Sequence, residues 1–119
     1  MKQSIIAEKS KSFAIRIVKL YKYLTMIAEQ KEFILSKQLL RSGTSIGANL
    51  SEALYGVSRS DFLAKVFISL KECAETRYWL ELLYKTDYLT DIEFTSIDND
   101  CTELMKLLTS IVKTTRENS

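Results

Sequence analysis

The 119-residue sequence predicts an all-α protein, an antiparallel up-down-up-down four-helix bundle. Three observations carry this. Apolar residues recur at alternating steps of three and four, the spacing that gathers side chains on one helical face. Proline is absent and glycine occurs only 3 times, too few turn formers for a protein of many strands and reversals. The breaks in the pattern leave four segments, about 10–30, 33–55, 60–85 and 91–116, and connections this short force neighbouring helices antiparallel. Residues 1–119 are expected to form a single domain around one core.

In the first segment Phe13, Ile17, Leu20, Leu24 and Ile27 make the apolar stripe, widened by Ala14, Val18, Tyr21 and Ala28. Lys11, Lys19 and Lys22 fall outside it, and the polar run Gln30–Glu32 is the expected break.

The second segment contains "RSGTSIGANLSEA", Arg41 to Ala53, which looks like a loop by composition. Its periodicity argues otherwise. Leu35, Leu39, Ser42, Ile46, Asn49 and Ala53 form one stripe, and Leu40, Gly43, Gly47, Leu50 and Leu54 form another beside it. A phosphate-binding P-loop needs lysine after its last glycine, but Ala48 follows Gly47 and no strand precedes the stretch. Two interior glycines cost a helix about 2 kcal/mol relative to alanine, which close approach of another backbone can offset. Gly56 is expected to cap the C-terminal end, and Ser58 or Ser60 the next start.

The third segment carries Leu63, Val66, Leu70, Cys73, Arg77, Leu80 and Tyr84 in register, with Phe62, Phe67, Ala74, Tyr78 and Trp79 widening the face. After a short turn, Thr90 and Glu93 have the spacing of a capping box. The fourth segment then presents Phe94, Ile97, Cys101, Leu104, Leu108 and Ile111.

A polar line, Ser42, Ser45, Asn49 and Glu52, runs along the second segment. A hairpin turning near Val57–Ser60 sets Arg41 opposite Glu75 and Glu52 opposite Lys65 or its neighbours, and brings Arg77 near Ser42 and Asn49. These residues read as a polar seam fixing helix register, or alternatively as a ligand or RNA contact site.

The net charge is only +2, but residues 1–31 hold seven Lys/Arg against Glu8 and Glu29, while residues 90–119 hold six acids against three bases. Either the first and last helices lie side by side and complement each other, or Lys9, Lys11, Arg16, Lys19 and Lys22 make a nucleic-acid face. Enzymatic chemistry is hard to place. There is no histidine, which removes the commonest general base and metal ligand. Cys73 and Cys101 sit on apolar stripes with no evident base, and are too few for a zinc site without histidine. No catalytic residue, cofactor or metal is expected. No apolar run reaches 18 residues and no secretion signal is evident at the start, so the expected location is the cytoplasm.

"QLLRSGTSIGANLSEA" (Gln38 to Ala53) followed by "SDFLAKVFISLKECAETRYWLELL" (Ser60 to Leu83) resembles the bacterial four-helix-bundle family of 23S rRNA intervening-sequence proteins. The matching motifs are Arg41, Ser42, Ser45, Ile46, Asn49 and Glu52, then Glu75, Tyr78 and Leu80; the resemblance runs from about Phe13 to Ile111. It implies a small cytosolic up-and-down bundle, often encoded inside insertions of the large-subunit rRNA gene. Family members also resemble accessory proteins of diversity-generating retroelements, which implies a homo-oligomeric ring, a pentamer, with a basic surface for nucleic acid. The expected function is therefore a non-enzymatic assembly module that binds itself and RNA or another nucleic acid. The alternative is a protein–protein scaffold with Tyr23, Tyr55 and Tyr88 at its contacts.

Overall fold

The computed structural model describes the backbone of residues 2–118 and the side chains of residues 5–118. Four α-helices follow one another: α1 (Lys2–Lys22), α2 (Leu35–Ala53), α3 (Arg59–Lys85) and α4 (Asp91–Glu117), with a π-helical turn (Tyr23–Ile27) closing α1. Each packs on the next, and α1 also packs on α4, which closes an up-down-up-down bundle of 51 × 22 × 20 Å. None of these helices is long and apolar enough to cross a membrane.

The core follows the sequence stripes closely. Phe13, Ile17 and Leu24 of the first segment, Leu39 and Ile46 of α2, Val66, Cys73 and Leu80 of α3, and Cys101, Leu104 and Leu108 of α4 are all buried. Two boundaries differ from expectation. Helix α1 begins at Lys2 rather than near residue 10, and Ile6 is buried in the core. At its other end, the Ala28 amide donates to the Tyr23 carbonyl at 2.8 Å, one residue further than an α-helix allows. The wider turn rotates Ile27 off the stripe and into solvent, although spacing placed it in the core.

The start of α2 is organised by a residue that spacing marked only as part of a break. The Glu32 carboxylate accepts from the amides of Ile34 at 3.0 Å, Leu35 at 2.7 Å and Ser36 at 2.7 Å. These amides have no partner within the helix, so the carboxylate does the work of a cap at the positive end of the dipole. Burial pushes the Glu32 carboxyl up, but the three amide hydrogen bonds outweigh it and hold the group below its ordinary value.

Helix α2 is continuous through the glycine–serine stretch. Gly43 is buried where α1 crosses: a Cβ there would lie 2.8 Å from Cγ1 of Ile17. Gly47 has more room, since a Cβ would meet Ser10 Oγ at 3.4 Å and Ser10 carbonyl oxygen at 3.5 Å. The helix ends at Ala53, before Gly56, and no glycine has positive φ. Gly56 is therefore no left-handed cap. Its value is space, because a Cβ would stand 3.2 Å from the Ala53 carbonyl oxygen and 3.3 Å from Asp61 Cβ. Ser58, rather than Ser60, caps α3 by accepting from the Asp61 amide. The α3–α4 turn carries Asp87 at φ 70, in the left-handed region that aspartate tolerates better than most residues. Thr90 and Glu93 then form the complete capping box of α4.

Candidate functional site

The α2–α3 hairpin carries the polar seam. Arg41 ion-pairs with Glu75 and reaches Glu72 at 3.5 Å, while Trp79 Nε1 donates to Glu75 at 2.9 Å. Lys65 meets Glu52 at 3.4 Å. Ser42 is fully buried and accepts from the Thr76 hydroxyl at 3.0 Å. Ser45 and Asn49 do not cross to α3: Ser45 donates to the Arg41 carbonyl and Asn49 to the Ser45 carbonyl, both one turn back in their own helix.

Arg77 is not in the seam. Its guanidinium pairs with Asp98 of α4, Nε to Oδ1 at 2.9 Å, and stands well away from the α2 contact expected of it. The stripe that faces α2 is Ser69, Thr76 and Leu83, one position off the register that assigned Arg77 inward. Thr76 thus takes the role given to Arg77, and Ser69 adds a bond to the Ile46 carbonyl at 2.9 Å. Both were legible as small polar residues three or four places from Cys73 and Leu80. Among the described residues every buried side-chain polar atom has a partner. The buried part of the seam is thus internally satisfied, while Arg41, Glu52 and Lys65 stand partly in solvent.

The five cations singled out on α1 divide into two groups. Lys9 pairs with Glu103 at 3.1 Å, and Arg16 pairs with Asp100 at 2.6 Å while also reaching Ser96. Lys11, Lys19 and Lys22 are exposed and make no ion pair among the described residues. Three of the six acids of α4 are correspondingly occupied, with Asp98 on Arg77, Asp100 on Arg16 and Glu103 on Lys9. Ion pairs to α4 and exposed lysines therefore coexist on α1, with Lys19 beside Arg16 on the groove toward α4 and Lys11 on the groove toward α2.

The cysteines are neighbours. Cys73 and Cys101 are free and fully buried, with the Cys101 thiol 3.5 Å from the Cys73 carbonyl oxygen. The adjacent Cys101 thiol and burial push the Cys73 thiol far above its ordinary range, so it has little thiolate character. Among the described residues no three acidic, cysteine or histidine side chains are grouped to hold a metal. A groove of about 450 Å³ between α1 and α2 is lined by small residues, Ala7, Ser10, Ala14, Gly47, Ala48 and Ser51 among them, with Glu8 and Lys11 also on its wall.

Comparison with known proteins agrees with this architecture. The family model described as "23S rRNA-intervening sequence protein" matches residues 2–110. Among solved structures, the chain is similar to a protein of unknown function from the S23 ribosomal protein family of Bacteroides thetaiotaomicron VPI-5482. The two share 57% identity with a TM-score of 0.92, over 95% of this chain and 99% of the other. No curated protein matches. A four-helix bundle whose sequence fits that family model over most of its length, and whose backbone superposes on a solved member, belongs to the 23S rRNA-intervening sequence protein family.

Proposed function

We propose that the chain is a non-enzymatic, self-associating bundle of the bacterial cytoplasm that contacts RNA or another nucleic acid through the outer side of α1. The carrying observation is the split among the basic residues. Lys9 and Arg16 pair with acids of α4, whereas Lys11, Lys19 and Lys22 stay exposed and outside any ion pair among the described residues. Mobile cations spaced along a rod bind phosphates without reading bases, so affinity comes from counterion release and carries little sequence preference. The buried part of the seam supports the same reading by giving Ser42, Ser69 and Thr76 a structural task, which leaves the surface for recognition. The resemblance to ring-forming accessory proteins makes a homo-oligomer, a pentamer, the expected assembly, and a ring would repeat the basic strip.

Fluorescence anisotropy with a structured RNA at low salt tests this. The wild type should bind, with a log–log salt slope near −3 per chain if all three lysines contact phosphate, about 0.9 per contact. The triple variant Lys11→Glu, Lys19→Glu, Lys22→Glu should bind at least tenfold more weakly. Absence of any shift at low salt refutes the nucleic-acid half. The second reading, a protein–protein scaffold without nucleic-acid binding, draws on Tyr55 and Val57, which are 86% and 95% exposed at the α2–α3 turn. Under it, the triple variant retains full partner binding.

A further inference from the structure

We propose that the end of the bundle formed by the α1–α2 and α3–α4 connections docks on the same end of a second copy, related by a two-fold axis. The inference rests on the self-association reading above and names the surface for it. Met26, Ile27, Phe33 and Ile34 flank the first connection with exposures of 67%, 73%, 59% and 77%. Ile92, at the start of α4 on the same end, is 84% exposed. Between the two connections lies a mainly polar cleft lined by Tyr23, Tyr88, Leu89 and Asp91.

Area and charge both favour a second copy. Five such side chains present roughly 600 Å² of apolar surface, at the upper limit for the largest patch of an ordinary monomer. With its polar rim this approaches the approximately 800 Å² per partner of a standard interface. The rim is divided by sign. The α1–α2 corner carries Lys31 and Lys37, both exposed, against Glu29. The α3–α4 corner carries Asp87, Asp91 and Glu93, while its Lys85 is paired with Glu81 at 3.0 Å. A two-fold axis through the patch lays each basic corner on the partner's acidic corner. A membrane of anionic lipid, or a nucleic acid, would be repelled by the acidic half. Whatever the flanks assemble, a single chain or a ring, this contact doubles it.

Size-exclusion chromatography with light scattering provides the test, with helicity by circular dichroism as the folding control. Ile27→Glu with Ile34→Glu should halve the wild-type mass at unchanged helicity, since both side chains point to solvent. Two charge variants then probe the pairing directly. Lys31→Glu with Lys37→Glu makes both corners acidic, and Asp87→Lys with Asp91→Lys makes both corners basic. Each alone should dissociate more readily than wild type, and an equimolar mixture should recover the doubled mass. A wild type that is oligomeric, with an Ile27→Glu/Ile34→Glu variant of the same mass, overturns the end-to-end contact and leaves self-association standing. A monomeric wild type overturns both. Dissociation of the isoleucine variant without recovery in the charge mixture overturns the two-fold arrangement.

Discussion

Gly43 and Gly47 sit one turn apart in α2, yet alanine at the two positions should have opposite effects. At Gly43 the new Cβ would lie 2.8 Å from Cγ1, 2.9 Å from Cγ2 and 3.2 Å from Cδ1 of Ile17. Carbon atoms pack at about 3.5–4.0 Å. Ile17 is fully buried, and both its branches meet the intruder, so no rotation about χ1 clears it. Overpacking of this kind costs about 1–3 kcal/mol, with Ile17 in the upper half of that range. The gain in helix propensity returns about 1 kcal/mol. Gly43→Ala should therefore lose about 1–2 kcal/mol net. At Gly47 the nearest atoms, Ser10 Oγ at 3.4 Å and Ser10 carbonyl oxygen at 3.5 Å, are in ordinary contact. Gly47→Ala should gain about 0.5–1 kcal/mol. Urea unfolding followed by circular dichroism, at one protein concentration, should separate the variants by about 2–3 kcal/mol, or roughly 10 °C in Tm. Adding Ile17→Ala should cost less in the Gly43→Ala background than in wild type, because the cavity receives the new methyl. A Gly43→Ala protein at least as stable as wild type, or strict additivity with Ile17→Ala, refutes the close-approach argument.

Two further outcomes follow from the cap and the seam. Glu32 titrates below its ordinary 4.5 when folded, so its contribution is complete above that value and is lost as pH falls through the folded one. Glu32→Gln should flatten that part of the acid-unfolding curve, and Glu32→Ala, which strands the amides of Ile34, Leu35 and Ser36, should lose about 2 kcal/mol at neutral pH. Thr76→Val keeps the shape of the buried side chain but removes the bond to Ser42, and should cost about 1 kcal/mol in chemical denaturation. Combined with Ser42→Ala the loss should be less than additive, and full additivity would mean that the two hydroxyls are not coupled.

The family placement rests on residues 2–110 and on a backbone shared at 57% identity, but the physical content of that likeness is local. Polar residues of α2 that resemble a loop by composition are buried or bonded along a helix, Gly43 admits α1, and Gly56, beyond the end of α2, admits the first turn of α3. The same residues therefore explain how the bundle packs, and the proposed recognition surfaces lie elsewhere, on Lys11, Lys19 and Lys22 and on the exposed apolar end.

The four helices, their order and most of the core were legible from residue spacing, because burial on one face of a helix leaves a period that sequence records directly. The Thr90–Glu93 box and the Arg41–Glu75 and Glu52–Lys65 pairs were legible for a related reason: caps and hairpin partners are set by distance along the chain. Tertiary structure decided what spacing alone leaves open. Helix rotation put Thr76 rather than Arg77 against Ser42, and sent Arg77 to Asp98. A single wider turn exposed Ile27, and a glutamate in the break reached forward to cap α2. Each depends on how a helix is turned, where adjacent positions lie about 100° apart, or on which neighbour a side chain meets, and a linear pattern of mixed three- and four-residue steps fixes neither.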